Sequence, residues 1–554
     1  MVGESRLASI CVLLVILILS SITPFALLYY IAFVTAITLP SSHLPIALHT
    51  HFSHPTPSYS VLLLRLWLAM ELLFFLYYYH ALRRFQVAGE YTLMSTKHRY
   101  KVFHAVLDEL RQEQQQQQQQ EEEEEEEEKH TSHQQQKQHT SHPSYFFQGW
   151  FYSLQNKHHP VQLEDIYRGN MAEWLGVVLF STDMNGVAED TVYRDQVYAM
   201  VDQIQDTCQI QFHPGYNPHI ACLRLGLDPV KATHRPFILY VCAWIADAAC
   251  KCVLACWGFT RYGRKPRSWV DLALSVLAPH PSHAQSRPSH TTPRITYWYR
   301  PGFPTPTPAH PIMFIHGVGC GIVPYLGLIY RLLLHSKQEQ GVFLVELPHV
   351  AMRMYSRAPS FPRTIYELCR ALDLHESSRP AVWVGHSLGS AVVAAACRFA
   401  PNYCHAPVFI DPICFKLHLP HVTYNFLYKQ PHSAREHFMA YFAGQELFNH
   451  RYFHRDFHWF HANLLSHDIH TLQRASVFLS EQDMLVPSQA IAQDLHQRWG
   501  VSCSPGDTVK TKHACCSWWW MEGLDHAQFL FRGSWCTTLV DRVMAVSRSS
   551  SSSD

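Results

Sequence analysis

The sequence predicts an α/β fold, a mostly parallel sheet flanked by helices, preceded by a helical region and by apolar N-terminal helices. Three observations carry that prediction. Beyond residue 290, short β-rich runs alternate with helix-like stretches, the texture of βαβ units. One strand-to-helix junction holds Gly385-His386-Ser387-Leu388-Gly389, with AVWV before it and SAVVAAACRFA closing it. Near the N-terminus lie two long apolar runs of membrane-spanning length.

The strand candidates are 295–299, 311–315, 342–345, 381–384, 407–410, 475–479 and 515–521. The helix candidates between them are 323–335, 364–374, 387–399 and 489–499. Upstream, the stretch 192–210 sets Val192, Val197, Met200, Val201 and Ile204 on one helical stripe. The run 236–259 is apolar but contains Asp247 and Lys251. It reads as a helix packed on the body of the protein, with a third membrane span as the alternative.

From Leu7 to Leu39 no charged residue appears. As a helix this run would reach about 50 Å, well beyond a hydrocarbon core of about 30 Å, with Pro24 as a kink or a break. The second run, 61–79, is interrupted by Arg65 and Glu71, which are expected to pair or to face a neighbouring helix. Arg83, Arg84, Lys97, Arg99 and Lys101 follow it, so the positive-inside rule places the remainder in the cytosol. The expectation is an integral membrane protein in contact with membrane lipids.

Composition fits that expectation. Charged residues are 16% of the 554, against about 25% in ordinary soluble chains. Lys plus Arg and Asp plus Glu both number 44. That balance lacks the basic excess of a nucleic-acid binder, and no nucleic-acid partner is expected. The neutrality is an average, because residues 121–128 are eight consecutive Glu. The 16 cysteines show no zinc-site spacing, and Cys250, Cys252 and Cys256 read as buried thiols in an apolar stretch.

The chain divides accordingly. Residues 1–85 form the anchor, with spans at 7–39 and 61–79. Residues 86–145 are a linker carrying a solvated Gln/Glu insert at 112–138. Residues 146–290 form a helical accessory region, closed by a Pro/Ser/His-rich linker at 279–293. Residues 291–545 form the catalytic domain with a cap at 412–473, and 546–554 are a loose tail.

A bare G-x-S-x-G is common, but here strand, turn and helix surround it. That geometry holds a serine on a strained turn with its hydroxyl exposed, at a helix N-terminus that favours developing negative charge. Gly385 and Gly389 let strand and helix approach. A serine needs a base, and the base needs an orienting acid, expected at later strand ends in the order serine, acid, histidine. Asp483, in SEQDMLVP, and His526, in EGLDHAQFL, stand at such ends; Asp411, in VFIDPICF, is the alternative acid. Oxyanion donors are expected from the backbone N–H groups of Leu388 and of Val318, the latter in the Gly-rich HGVGCG loop.

The segments PIMFIHGVG, VWVGHSLGSAVV, FLSEQDMLVP and LDHAQFL resemble the α/β-hydrolase fold family. With DPVKATHRPFILY, VFIDPICF and TYNFLY, the chain is also similar to membrane-anchored fungal and plant members of that family. The motifs cover about 290–545, and the fuller likeness reaches back to about 95. The resemblance implies nucleophile, acid and base at Ser387, Asp483 and His526. Ala527 stands where many relatives have Gly.

The aromatic-rich stretch between Asp411 and Ala475 occupies the cap position and suits a lipophilic acyl substrate. His450, His454, His458 and His461 fall at near-helical spacing, yet no carboxylate completes a metal set, and neither metal nor organic cofactor is expected. The expected function is hydrolysis of a lipophilic carboxylic ester by an esterase or lipase-like serine enzyme. A catalytically silent binding or scaffold protein, and a thioesterase or acyltransferase using the same three residues, are the alternatives. Acyl and alcohol specificity, organelle and oligomeric state have no signature in the sequence.

Overall fold

The computed structural model describes residues 6–38, 58–87, 94–128, 143–155, 161–183, 191–263, 295–303, 309–336, 339–355, 358–376, 379–472, 474–500, 502–503 and 516–548. The linker expected at 279–293 lies outside them, as do 129–138 of the low-complexity insert and 549–554 of the tail.

Two long helices come first, α1 (Arg6–Thr38) and α2 (Tyr59–Phe85). α1 continues through Pro24 as one helix, so Pro24 does not break the first apolar run. Its buried positions, Val12, Thr23, Ala26 and Ala36, form a narrow seam, while Leu7, Leu17 and Leu28 are each at least 65% exposed. An apolar helix that exposes most of its surface lacks the covering a soluble core would supply. Arg65 and Glu71 do not pair with each other. The Arg65 guanidinium sits 4.8 Å over the Phe33 ring of α1. Glu71, fully buried, accepts the N–H groups of Phe237 and Ile238 at 2.7 and 3.0 Å.

The expected linker at 86–145 contains helix α3 (Thr96–Glu128), which runs through the Gln tract and the eight Glu. Phe103, Leu107 and Leu110 bury its first half, and Gln and Glu propagate the rest because both are good helix formers. α4 (Pro143–Gln148), strand β1 (Phe151–Ser153), α5 (Arg168–Phe180), α6 (Thr191–Cys208) and strand β2 (Ile220–Cys222) complete the accessory region. β1 and β2 pair antiparallel. On α6 the predicted stripe is buried at Val197, Met200, Val201 and Ile204, but Val192, in the first turn, is 60% exposed.

α7 (Phe237–Cys256) is the third helix long and apolar enough to cross a membrane. It also touches the body: Cys250 and Leu254 join the core beneath the main sheet, and Asp247 bridges Lys251 and Arg353. Of the three cysteines read as buried, only Cys250 is; Cys252 and Cys256 lie on the exposed side.

The main sheet has eight strands: β3 (Thr260–Tyr262), β4 (Tyr297–Arg300), β5 (Ile312–Ile315), β6 (Val342–Val345), β7 (Ala381–His386), β8 (Cys404–Ile410), β9 (Ser476–Ser480) and β10 (Ser517–Met521). Their order is β10-β9-β8-β7-β5-β6-β4-β3. The six from β10 to β6 are parallel; at one edge β4 pairs antiparallel with β6, and β3 antiparallel with β4. β5, β6 and β7 are buried along their whole length, as strands covered on both faces must be, which is why they read as unbroken apolar runs.

One face is covered by α9 (Phe361–Glu376) and α10 (Leu388–Phe399), the other by α8 (Leu326–His335) and the last helix, α16 (Gly533–Arg548). The domain therefore runs to Arg548, with Val546 and Ser547 buried rather than in a tail. Between β8 and β9 the chain forms the cap: α11 (Pro420–Thr423), α12 (Ala434–Met439), α13 (Leu447–Arg455) and α14 (Ser466–Thr471), with π-helical turns at Tyr424–Tyr428 and Ala440–Gly444. α15 (Ser488–Trp499) links β9 to β10.

Candidate active site

β7 ends at His386, and α10 begins at Leu388, so Ser387 alone makes the turn between them. Its backbone sits at φ 52° and ψ −119°, a conformation that L residues adopt only when the surroundings enforce it. Two glycines make room for the turn. A Cβ at Gly385 would lie 2.5 Å from the Gly389 carbonyl oxygen, and one at Gly389 would lie 2.2 Å from that of Ile315. The Ser387 N–H donates to the Ile410 carbonyl at 3.0 Å, pinning the turn to the neighbouring strand.

The loops after β9 and β10 bring two more side chains to this point. Ser387 Oγ lies 2.9 Å from His526 Nε2, and His526 Nδ1 lies 2.7 Å from Asp483 Oδ2. With Asp483 accepting at Nδ1–H, Nε2 is left to accept from the serine hydroxyl. The other Asp483 oxygen takes the N–H groups of Leu485 and Val486 at 2.8 and 3.0 Å. Burial alone would lower the His526 pKa, but the Asp483 charge and hydrogen bond, with help from Asp411, push it up to about 9. Burial also raises Asp483 above the ordinary carboxylate range.

Asp411 stands close by but holds different groups. Its two oxygens accept the N–H groups of Ser480 at 3.1 Å and Ala527 at 2.8 Å. Burial acts to raise it, and the His386 ring, His526 and the Ala527 amide outweigh that and hold it below its usual value. The carboxylates of Asp411 and Asp483 and a ring nitrogen of His526 all lie within 4.8 Å of one another. The four cap histidines at near-helical spacing do not share one helix. The His450 and His454 rings meet at 4.4 Å on α13, tilted by 45°, His450 Nδ1 donates to the Gly444 carbonyl, and His458 and His461 lie past the helix end.

Leu388 and Val318 both line the cavity beside Ser387. As the first residue of α10, Leu388 has an N–H with no acceptor inside the helix. Gly317 holds the Val318 loop against the turn, for a Cβ there would come within 2.9 Å of Ser387 Cβ.

Four neighbours had no signal in the sequence. Gly317 N–H donates to Tyr325 Oη at 3.0 Å, and Tyr325 Oη donates to His386 Nδ1 at 2.7 Å, tying the two loops together. Asp525 accepts the N–H groups of Met484 and His526 and pairs with Arg435 of α12 at 2.8 Å, joining the cap to the histidine loop. Each is a long-range polar pair, visible only once the chain is folded.

Above Ser387 lies a cavity of about 690 Å³. The cap supplies Phe426, Phe438, Phe442, Phe453 and Phe457, so its walls are mainly apolar. The arrangement can bring a carbonyl to a hydroxyl whose proton has an oriented acceptor, in a mainly apolar space.

Residues 312–532 match the model of the alpha/beta hydrolase family. Solved structures similar to part of the chain include three hydrolases. The peroxisomal alpha-beta-hydrolase Lpx1 of Saccharomyces cerevisiae is 13% identical, over 52% of this chain and 87% of that one, with a TM-score of 0.32. An esterase domain from Rhodothermus marinus is 17% identical over 46% and 92%, at 0.29. Carboxyl esterase 2 of Tuber melanosporum is 14% identical over 46% and 81%, also at 0.29. No curated protein matches the sequence. The assignment rests on the family match and the sheet order, not on those weak overlaps. Residues 312–532, with their mostly parallel sheet, have the fold of the alpha/beta hydrolase family whose model they match.

Proposed function

We propose that this protein is a membrane-anchored serine hydrolase that cleaves a lipophilic carboxylic ester. The observation that carries the reading is the hydrogen-bonded series Ser387–His526–Asp483 on the floor of an apolar cavity. Ser387 Oγ attacks the ester carbonyl while His526 Nε2 takes its proton. Asp483 holds the ring and stabilises the imidazolium, and the N–H groups of Leu388 and Val318 receive the developing oxyanion. His526 then protonates the departing alcohol, and water, activated by the same ring, releases the acid and restores the serine.

Fluorophosphonate labelling of the detergent-solubilised protein tests this. The wild type labels and Ser387→Ala does not, with ester turnover falling by a factor on the order of 10⁶. Equal labelling of both proteins, or of neither, would instead leave a non-catalytic binding protein.

α1 and α2 anchor the chain, with the hydrolase domain in the cytosol. Their length and apolar character support the anchoring, and the basic cluster after α2 supports the orientation. A C-terminal tag is digested by protease added to intact cytosol-side-out membranes; full protection would reverse the orientation.

A further inference from the structure

The roof of the cavity leans on a membrane helix. α12 and the π-helical turn after it supply Arg435, Phe438, Met439, Phe442 and Ala443 to the cavity wall. α12 packs against α1, where the Ser20 side chain approaches the Tyr441 phenol. Ser20 is near the midpoint of α1. Four residues on, Pro24 has no N–H to give the Ser20 carbonyl, so α1 carries a polar group without its intrahelical donor at this level.

The depth of that contact follows from lengths. The far part of α1, residues 24–38, rises only about 22 Å, against about 30 Å of hydrocarbon. Its outer face is apolar throughout, with Leu28, Ile31, Val34 and Ile37 more than half exposed. The remaining depth has to be met by the part of α1 before Pro24. That part is also free of charge from Leu7 onward and exposes Leu14, Leu17 and Ile18 beside the roof segment. At the cavity edge two aromatic side chains both line the space and face outward: Phe438 is 46% exposed and Phe531 70%. In water such a pair would be a costly apolar patch; against lipid it is matched.

We propose that the cavity opens sideways into the bilayer between Phe438 and Phe531, and that the substrate is an acyl ester resident in the membrane, entering without crossing water. This rests on the membrane-anchored hydrolase reading and adds the route and the physical state of the substrate. The polar head would stay at the interface while the ester reaches Ser387 beneath the α12 roof.

The test is photo-crosslinking of the full-length protein in phosphatidylcholine vesicles. A benzophenone amino acid replaces, one at a time, Phe438, Phe531, Ile18 on the outer face of α1, and exposed Tyr366 on α9. Phospholipid adducts are expected at Ile18, Phe438 and Phe531 and not at Tyr366, with the Ile18 and Tyr366 variants still labelling with fluorophosphonate. Adducts at Ile18 without any at Phe438 and Phe531 would overturn lateral entry and leave the anchor intact. Loss of adducts at Ile18 as well would overturn the anchor and, with it, the entry route. Loss of fluorophosphonate labelling in the unsubstituted protein would overturn the hydrolase reading separately.

Discussion

Two strand ends, those of β8 and β9, each deliver a buried aspartate to within reach of His526, and the sequence alone leaves both open as its partner. The geometry separates them. Asp483 puts one oxygen on the imidazole and the other on its own loop, so it orients the ring. Asp411 spends both oxygens on backbone N–H groups, one in β9 and one beside His526, so it orients the loops. The same side chain at neighbouring strand ends does different work because its two acceptors are committed differently. The lesson is that proximity and charge nominate an acid, while hydrogen-bond direction selects it.

The strongest way to break this contrast is Asp483→Asn. An amide in that place favours the wrong imidazole tautomer, and turnover of a soluble ester is expected to fall by a factor on the order of 10⁴. The pH profile sharpens the same point. His526 must be neutral to act as base, so activity is lost as pH falls through its pKa. With Asp483 raising that value to about 9, the acid limb of kcat/KM lies well above the ordinary imidazole range. In the residual activity of Asp483→Asn the limb moves to lower pH; an unmoved limb would show that another group controls it.

Asp411→Asn is expected to cost less in rate and more in stability. The amide can accept only one of the two N–H groups and turns a donor toward the other, costing about 1–3 kcal/mol in thermal or denaturant unfolding. A rate loss exceeding that of Asp483→Asn would exchange the two roles. The smallest effect belongs to the residue whose N–H Asp411 holds. Ala527 sits at φ 64°, a left-handed conformation in which Cβ is a burden, so a glycine would hold this turn with less strain. Ala527→Gly should raise stability by about 0.5–1 kcal/mol with little change in rate.

Much of this was legible beforehand, and for identifiable reasons. Strands such as 342–345 are continuous apolar runs because both sheet faces are covered, and the runs survive as runs in the sequence. The Ser387 turn was legible because its glycines are needed within five residues of one another. What escaped notice depends on distance or on a missing apolar face. Arg435 and Asp525 are 90 residues apart, and neither looks unusual until they meet. The helix through the Gln and Glu tract has no hydrophobic stripe in its second half, so periodicity could not announce it, although its residues are good helix formers. Cys252 and Cys256 were misplaced because apolar neighbours in sequence mean burial only where another element covers them, and both lie on the exposed side of α7.

Glu71 gives the first two helices a timetable. Its carboxylate ends up buried inside α2, holding the first two N–H groups of α7. Those groups belong to residues made 166 and 167 positions later. During synthesis the first two helices therefore emerge with an acid whose partners do not yet exist, and the hairpin is finished only when the start of α7 arrives. A foreign pair of apolar helices in place of α1 and α2 would leave the first two N–H groups of α7 without the carboxylate that caps them.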